Sequence, residues 1–161
     1  MIKLNCKVKD FELPATGDKA IHLSDYLGRN VVIYLYPKDS TPGCTTEGQD
    51  FRDNYKYFQQ CNTEILGMSR DSIRAHENFK TKQSFPFDLL SDKDETVCKQ
   101  FDVIKLKKNY GREYMGIERS TFLIDTSGKL HKEWRKVKVK GHVEEVLESV
   151  KMLYSAQIKG A

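Results

Sequence analysis

Cys44 follows Thr41, Pro42 and Gly43 at the join between an apolar run and a helical pattern, and that spacing places a thiol where an anion is favoured. Thr41 suits a helix N-cap, because its oxygen can accept from an exposed N–H. Pro42 then falls at the first helical position, where its missing N–H costs nothing. Gly43 has no side chain, so a substrate can come close to the backbone. Cys44 lands in the first turn, among unpaired N–H groups at the positive end of the helix dipole. The chemistry such a place supports is nucleophilic attack by a thiolate. An unassisted thiol titrates near ~8.5 and is about 3% ionised at pH 7. Full ionisation adds roughly 30-fold, or about 2 kcal/mol. Efficient attack needs more than that, and the remainder falls to donors aimed at the group that leaves. The Thr41 hydroxyl, the Cys44 N–H and a nearby guanidinium are the candidates.

The other cysteines, Cys6, Cys61 and Cys98, form no C-x-x-C pair with Cys44 or with one another. Neither a dithiol motif nor a zinc knuckle is therefore expected. His22, His76, His131 and His142 are scattered without ligand spacing, so no metal and no cofactor is expected, and each is read as structural or exposed. Trp134 is read as a packing residue.

The elements that must position Cys44 alternate along the chain. Segments 11–13 and 20–23, joined by the turn 14–19, read as an N-terminal hairpin. The continuous apolar run 31–36 reads as a strand buried on both faces. A helix follows over 44–58, with Phe51, Tyr55 and Phe58 at helical spacing. Strands are expected at 64–68, 87–90, 121–124 and 129–134, and helices at 73–82, 95–101 and 143–154. The last carries an apolar stripe of Val143, Val146, Leu147, Val150 and Leu153. Residues 105–116 read as a basic loop. Lys136, Lys138 and Lys140, alternating with Val137 and Val139, read as a half-exposed strand. Strand–helix alternation implies parallel pairing with right-handed crossovers. The expected class is α/β, a thioredoxin-like fold over a single domain 1–161, with a mixed central sheet, helices on both faces and an N-terminal β-hairpin.

Composition excludes several function classes. The 161 residues carry 27 basic and 23 acidic side chains, a net +4, too weak an excess to indicate nucleic acid. The longest apolar run has six residues, far short of a membrane span. The first residues show no signal-peptide pattern, so the expected compartment is the cytoplasm, where the cysteines stay reduced.

Residues 36–47, Tyr-Pro-Lys-Asp-Ser-Thr-Pro-Gly-Cys-Thr-Thr-Glu, resemble the peroxidatic motif of the peroxiredoxins, in particular the bacterioferritin comigratory protein or peroxiredoxin Q subfamily. The similarity continues through Ser69-Arg70-Asp71-Ser72, His76, Phe79, residues 86–92, residues 110–125 and Gly141-His142, nearly the whole chain. The resemblance implies a thiol-dependent peroxidase acting on hydrogen peroxide and organic hydroperoxides. It implies that Cys44 is the peroxidatic cysteine, Thr41 the motif threonine and Arg119, just ahead of a strand, the paired arginine. Pro37, Gly43 and Glu47 are expected to line the substrate site. A hydroperoxide and a thiol reductant such as thioredoxin, glutaredoxin or glutathione are the implied partners, and a monomer is the implied state.

One departure matters. Relatives carry a second, resolving cysteine either five residues after the first, here Gln49, or in the following helix near Asn78, Phe79 and Lys80. Both places are vacant. Cys61 would lie about 25 Å along the same helix at ~1.5 Å per residue, too far for a disulfide. Cys98 reads as a packed small side chain, and nothing places Cys6 near Cys44. The expectation is a one-cysteine cycle completed by an external thiol, with Cys6 or Cys98 as the alternatives. A non-enzymatic binding module and a disulfide oxidoreductase are the competing classes.

Overall fold

The computed structural model describes residues 1–160. Its centre is strand β3, Asn30–Leu35, in which all six residues are buried. The order along the chain is β1 (Glu12–Ala15), β2 (Lys19–His22), a 3₁₀ turn (Leu23–Tyr26), β3, α1 (Pro42–Gln60), β4 (Thr63–Ser69), α2 (Ile73–Gln83), β5 (Asp88–Ser91), α3 (Thr96–Gln100), β6 (Ile104–Asn109), β7 (Arg112–Ile117), β8 (Ser120–Ile124), β9 (Leu130–Trp134) and α4 (His142–Lys159). Seven strands form one mixed sheet in the order β2-β1-β5-β4-β3-β8-β9. β3 runs parallel to β4 and antiparallel to β8, and β4 runs parallel to β5. The N-terminal hairpin pairs Leu13 with Ile21 and joins the sheet through Ala15 opposite Leu90.

The side-chain alternation of β3 divides the core in two. Val31, Ile33 and Leu35 face Phe11, Val97, Cys98, Phe101 and Phe122. Val32, Tyr34 and Tyr36 face the other way, into a cluster with Cys44, Phe51, Phe58, Phe79 and Val146. The second face is aromatic: Tyr34 stacks on Phe51 at 4.5 Å, and Phe85 stacks on Phe87 at 5.1 Å. On α1 the buried positions 44, 47, 48, 51 and 58 share one face. Gly48 is required there, since a Cβ would stand 2.4 Å from the Phe85 ring.

Two segments differ from the sequence expectation. Residues 105–116 are not a loop: β6 and β7 form a separate two-stranded hairpin, registered from Ile104 opposite Ile117 to Asn109 opposite Arg112. Its turn places Tyr110 and Gly111 both at positive φ, 51° and 76°, the geometry that matches hairpin twist. Tyr-Gly is a weak signal for that turn beside Asn-Gly, so the sequence pointed to a loop. Residues 136–140, expected as a strand, form no strand. Lys136 there has φ 50°, and the Arg135 guanidinium folds back to donate to the carbonyls of Phe101 and Asp102 at 2.9 and 2.8 Å. The alternation of exposed Lys with half-buried Val is real, but no neighbouring strand is paired with it.

Candidate active site

α1 starts where the sequence places it. Thr41 is the N-cap in extended backbone (φ −80°, ψ 155°), Pro42 opens the helix, and the first helical bond runs from Thr45 N–H to Thr41 O at 2.9 Å. The Thr41 hydroxyl, however, accepts from no helix N–H. It donates to the Lys38 carbonyl at 2.7 Å and so ties the helix start to its own loop. Cys44 is the third residue of the helix and only 1% exposed.

Arg119 reaches the sulfur from the short link between β7 and β8. Its Nη2 lies 3.4 Å from Cys44 Sγ, and its Nη1 donates to Glu47 Oε1 at 2.6 Å. Cys44 and Glu47 are three residues apart on one helix and therefore present their side chains to the same guanidinium. The Arg119 backbone is held in turn: its carbonyl accepts from Val137 N–H at 3.0 Å, and the neighbouring Glu118 N–H donates to Val103 O at 2.8 Å. The irregular segment that replaces the expected strand thus braces the arginine.

Burial pushes the Glu47 carboxyl up to about 7, against the downward pull of Arg119. For Arg119 burial disfavours the charge, but Glu47 and Cys44 more than offset it and the guanidinium is held more firmly protonated. An acid whose affinity for its proton rises on folding makes the folded state bind more protons than the unfolded one between its two titration points. Stability therefore falls as pH rises from about 4.5 towards about 7. The expected loss is on the order of 3 kcal/mol. Urea unfolding at several pH values checks this, and Glu47→Gln should flatten the slope across that window.

Gly43 has a different use from the one expected. A Cβ there would lie 3.1 Å from Arg119 Nη2. The guanidinium, not an incoming substrate, occupies the space a side chain would fill. Gly43→Ala should push Arg119 off the sulfur and slow single-turnover oxidation of Cys44 by roughly tenfold, the size of one weakened charged contact.

Of the expected site residues, the structure brings Cys44, Gly43, Glu47 and Arg119 together. Glu47 is fully buried, and its bond goes to Arg119. Pro37 is half-buried and lines an open polar groove with Lys38, Arg70, Asp71, Lys93 and Glu95. Sequence reasoning missed Tyr34 and Lys107. Tyr34 lies behind the sulfur; burial first, then the charges of Glu47 and Cys44, keep its phenol protonated. Lys107, on β6, has its proton affinity lowered by burial and by Arg119, while Cys44 pulls the other way. Only the hairpin could have revealed Lys107, and only the face alternation of β3 could have revealed Tyr34. His142, read as structural or exposed, is buried at the start of α4 with Nε2 2.7 Å from Thr121 Oγ1, and burial lowers it to about 4. An apolar pocket lined by Leu23, Tyr26, Val31 and Ile124 lies at the other end of β3 from Cys44 and takes no part here.

The remaining cysteines stand apart. Cys98 belongs to the core cluster on the opposite face of the sheet, and burial with Asp92 beside it drives its thiol far up. Cys61 caps the far end of α1. Cys6 is exposed, and its carbonyl accepts from Leu130 N–H at the start of β9.

A family model described as AhpC/TSA matches residues 4–133. The chain belongs to the AhpC/TSA family. It is 53% identical over 150 residues to peroxiredoxin Bcp of Bacillus subtilis, covering 93% of this chain and 96% of that protein. Among solved structures it superposes on the bacterioferritin comigratory protein of Xanthomonas campestris, described for its alkyl peroxide reduction activity, with TM-score 0.88, 47% identity and 95% and 98% of the two chains covered. Peroxiredoxin Q of Xylella fastidiosa gives TM-score 0.90 at 44% identity, covering 94% and 97%. The AhpC/TSA chain is accordingly a peroxiredoxin with a thioredoxin-like fold, a thiol-dependent peroxidase that takes a peroxide and a thiol reductant as substrates. Among the described residues no helix is long and apolar enough to cross a membrane.

Proposed function

We propose that the chain reduces hydrogen peroxide and organic hydroperoxides through Cys44 in a one-cysteine cycle. The observation that carries this reading is the Arg119 guanidinium 3.4 Å from a sulfur seated in the first turn of α1. The guanidinium sits where it can donate to the oxygen that leaves. The thiolate attacks the nearer peroxide oxygen. The S–O bond forms as the O–O bond breaks, and the departing oxygen takes up a proton as an alcohol or water. The Cys44 backbone N–H and Arg119 are the donors for that oxygen, and the Thr41 hydroxyl, whose one hydrogen goes to the Lys38 carbonyl, is free to accept from the peroxide O–H. Gly43 and Glu47 hold Arg119 in place, and Pro37 borders the approach. The alkyl peroxide activity described for the Xanthomonas campestris protein supports organic hydroperoxides as substrates.

The sulfenic acid on Cys44 is then attacked by an external thiol, releasing water and forming a mixed disulfide. A second thiol releases Cys44 and leaves with the first as a disulfide. Thioredoxin, glutaredoxin and glutathione are the candidate reductants. The placement of Cys98 across the sheet, and of Cys61 at the far end of α1, supports an external rather than an internal partner. Glu47, Cys44 and Arg119 come from one chain, which supports a monomer as the working unit; the cytoplasm, with its thiol pool, suits the cycle.

The test is one equivalent of hydrogen peroxide added to the reduced protein, followed by dimedone trapping and peptide mass spectrometry. The adduct is expected on Cys44 alone. An intramolecular disulfide from Cys44 to Cys6 or Cys98 would overturn the one-cysteine cycle.

A further inference from the structure

His76 and Asp39 belong to the stretches that resemble the family motif, yet the reaction above uses neither. Both are buried, at 0% and 5% side-chain exposure, and His76 Nδ1 lies 2.6 Å from Asp39 Oδ2. His76 Nε2 lies 2.8 Å from the Leu90 carbonyl, which can only accept, so that nitrogen carries hydrogen. One further proton lies between Nδ1 and the carboxylate. The other Asp39 oxygen accepts from the Tyr36 hydroxyl at 2.6 Å, and the Asp39 N–H donates to Asp71 Oδ2 at 2.9 Å.

Asp39 sits in the middle of the link from β3 to α1. The neighbouring Lys38 carbonyl is the group that holds the Thr41 hydroxyl, and Ser40 between them is forced to φ 63°. Asp39 thus fastens the loop ahead of Cys44 at several points: its carboxylate to Tyr36 after β3, to α2 and, through His76, to β5, and its backbone N–H to Asp71 just past β4. Asp39, Asp71 and His76 also place three ligand-type atoms within 4.8 Å of one another. A metal reading fails on bonding: both ring nitrogens of His76 already have partners, and Asp71 accepts from Asp39 N–H and the Ser69 hydroxyl.

The reaction makes opposite demands on this loop. Oxidation needs Cys44 enclosed beside Arg119. Cys44 is only 1% exposed, so an attacking thiol needs the loop and first turn to part. We propose that His76 is a positioning residue, holding Asp39 and with it residues 37–41 against the sheet, and that this latch sets the balance between the enclosed and the opened Cys44. The inference rests on the peroxidase reading of Cys44.

The test measures two rates separately: oxidation of reduced enzyme by hydrogen peroxide, and reduction of the isolated sulfenic form by dithiothreitol. In His76→Gln and Asp39→Ala, oxidation should slow about tenfold while reduction quickens about threefold, as a population shift requires. Asp39→Asn should keep both rates within about twofold of the parent, because its amide can still accept from Tyr36 and donate to a neutral His76. Far-ultraviolet circular dichroism confirms folding. If the two rates fall together, or neither changes, in the folded variants, the latch is overturned. Should Asp39→Ala and His76→Gln fail to fold, Tyr36→Phe removes a single bond and decides on the same ratio, expected to shift about threefold. An unchanged ratio there overturns the proposal. A parent protein that does not react with peroxide at Cys44 would instead defeat the peroxidase reading.

Discussion

Replacing Cys44 by serine is expected to lower hydroperoxide turnover by at least ~10³-fold, because a serine hydroxyl beside one guanidinium remains protonated and is a far weaker nucleophile than a thiolate. The measurement is peroxide consumption with dithiothreitol as donor. Its counterpart is the triple variant Cys6→Ser, Cys61→Ala, Cys98→Ala. Cys98 and Cys61 are buried, so that variant should lose stability, about 1–2 kcal/mol for small cavities. Its oxidation rate should stay close to that of the parent. A triple variant that folds but no longer turns over would mean that a second sulfur takes part.

The second large effect is expected at Arg119. Arg119→Met removes the donor at 3.4 Å from the sulfur and leaves Glu47 fully buried without its partner. Turnover should fall roughly 10²–10³-fold, the range for losing one preorganised donor to a developing oxyanion. Stability should fall as well, most at alkaline pH, where an unpaired Glu47 must either ionise in the interior or hold its proton against the solution. The double variant Arg119→Met, Glu47→Gln separates the two roles. Stability at pH 8 should return while the rate stays low. Recovery of the rate in the double variant would show that the arginine acts only by neutralising Glu47.

How far the sequence carries can be judged from particular residues. Val31 to Tyr36 reads as a strand buried on both faces because no polar side chain interrupts it, and Thr41-Pro42 marks the start of α1 because the fixed φ and missing N–H of proline at the first helical position are local properties. The partner of Cys44 is not local. Arg119 is 75 positions away, and nothing in its neighbours separates it from the other cations; the resemblance to the family singled it out. Glu47 and Gly43 were legible as members of the site, yet their task of holding a guanidinium depends on a chain crossing that composition does not encode. The β6–β7 hairpin was missed because Tyr110-Gly111 adopts positive φ without the usual Asn. His76 was left between structural and exposed, because a lone histidine shows its burial only when Asp39, Leu90 and Tyr36 have come together around it.

The division of the core by the sheet has a consequence for the lifetime of an oxidised molecule. Cys98 lies on the other face of the seven-stranded sheet from Cys44, and Cys6 meets β9 at the end away from α1's start. On the proposed cycle, a chain that has taken one oxygen atom cannot settle the matter internally. It waits, and the length of the wait is fixed by the surrounding thiol supply. When that supply runs low and peroxide persists, a second oxygen arrives before any thiol does, and the sulfur passes to sulfinic acid and drops out of service.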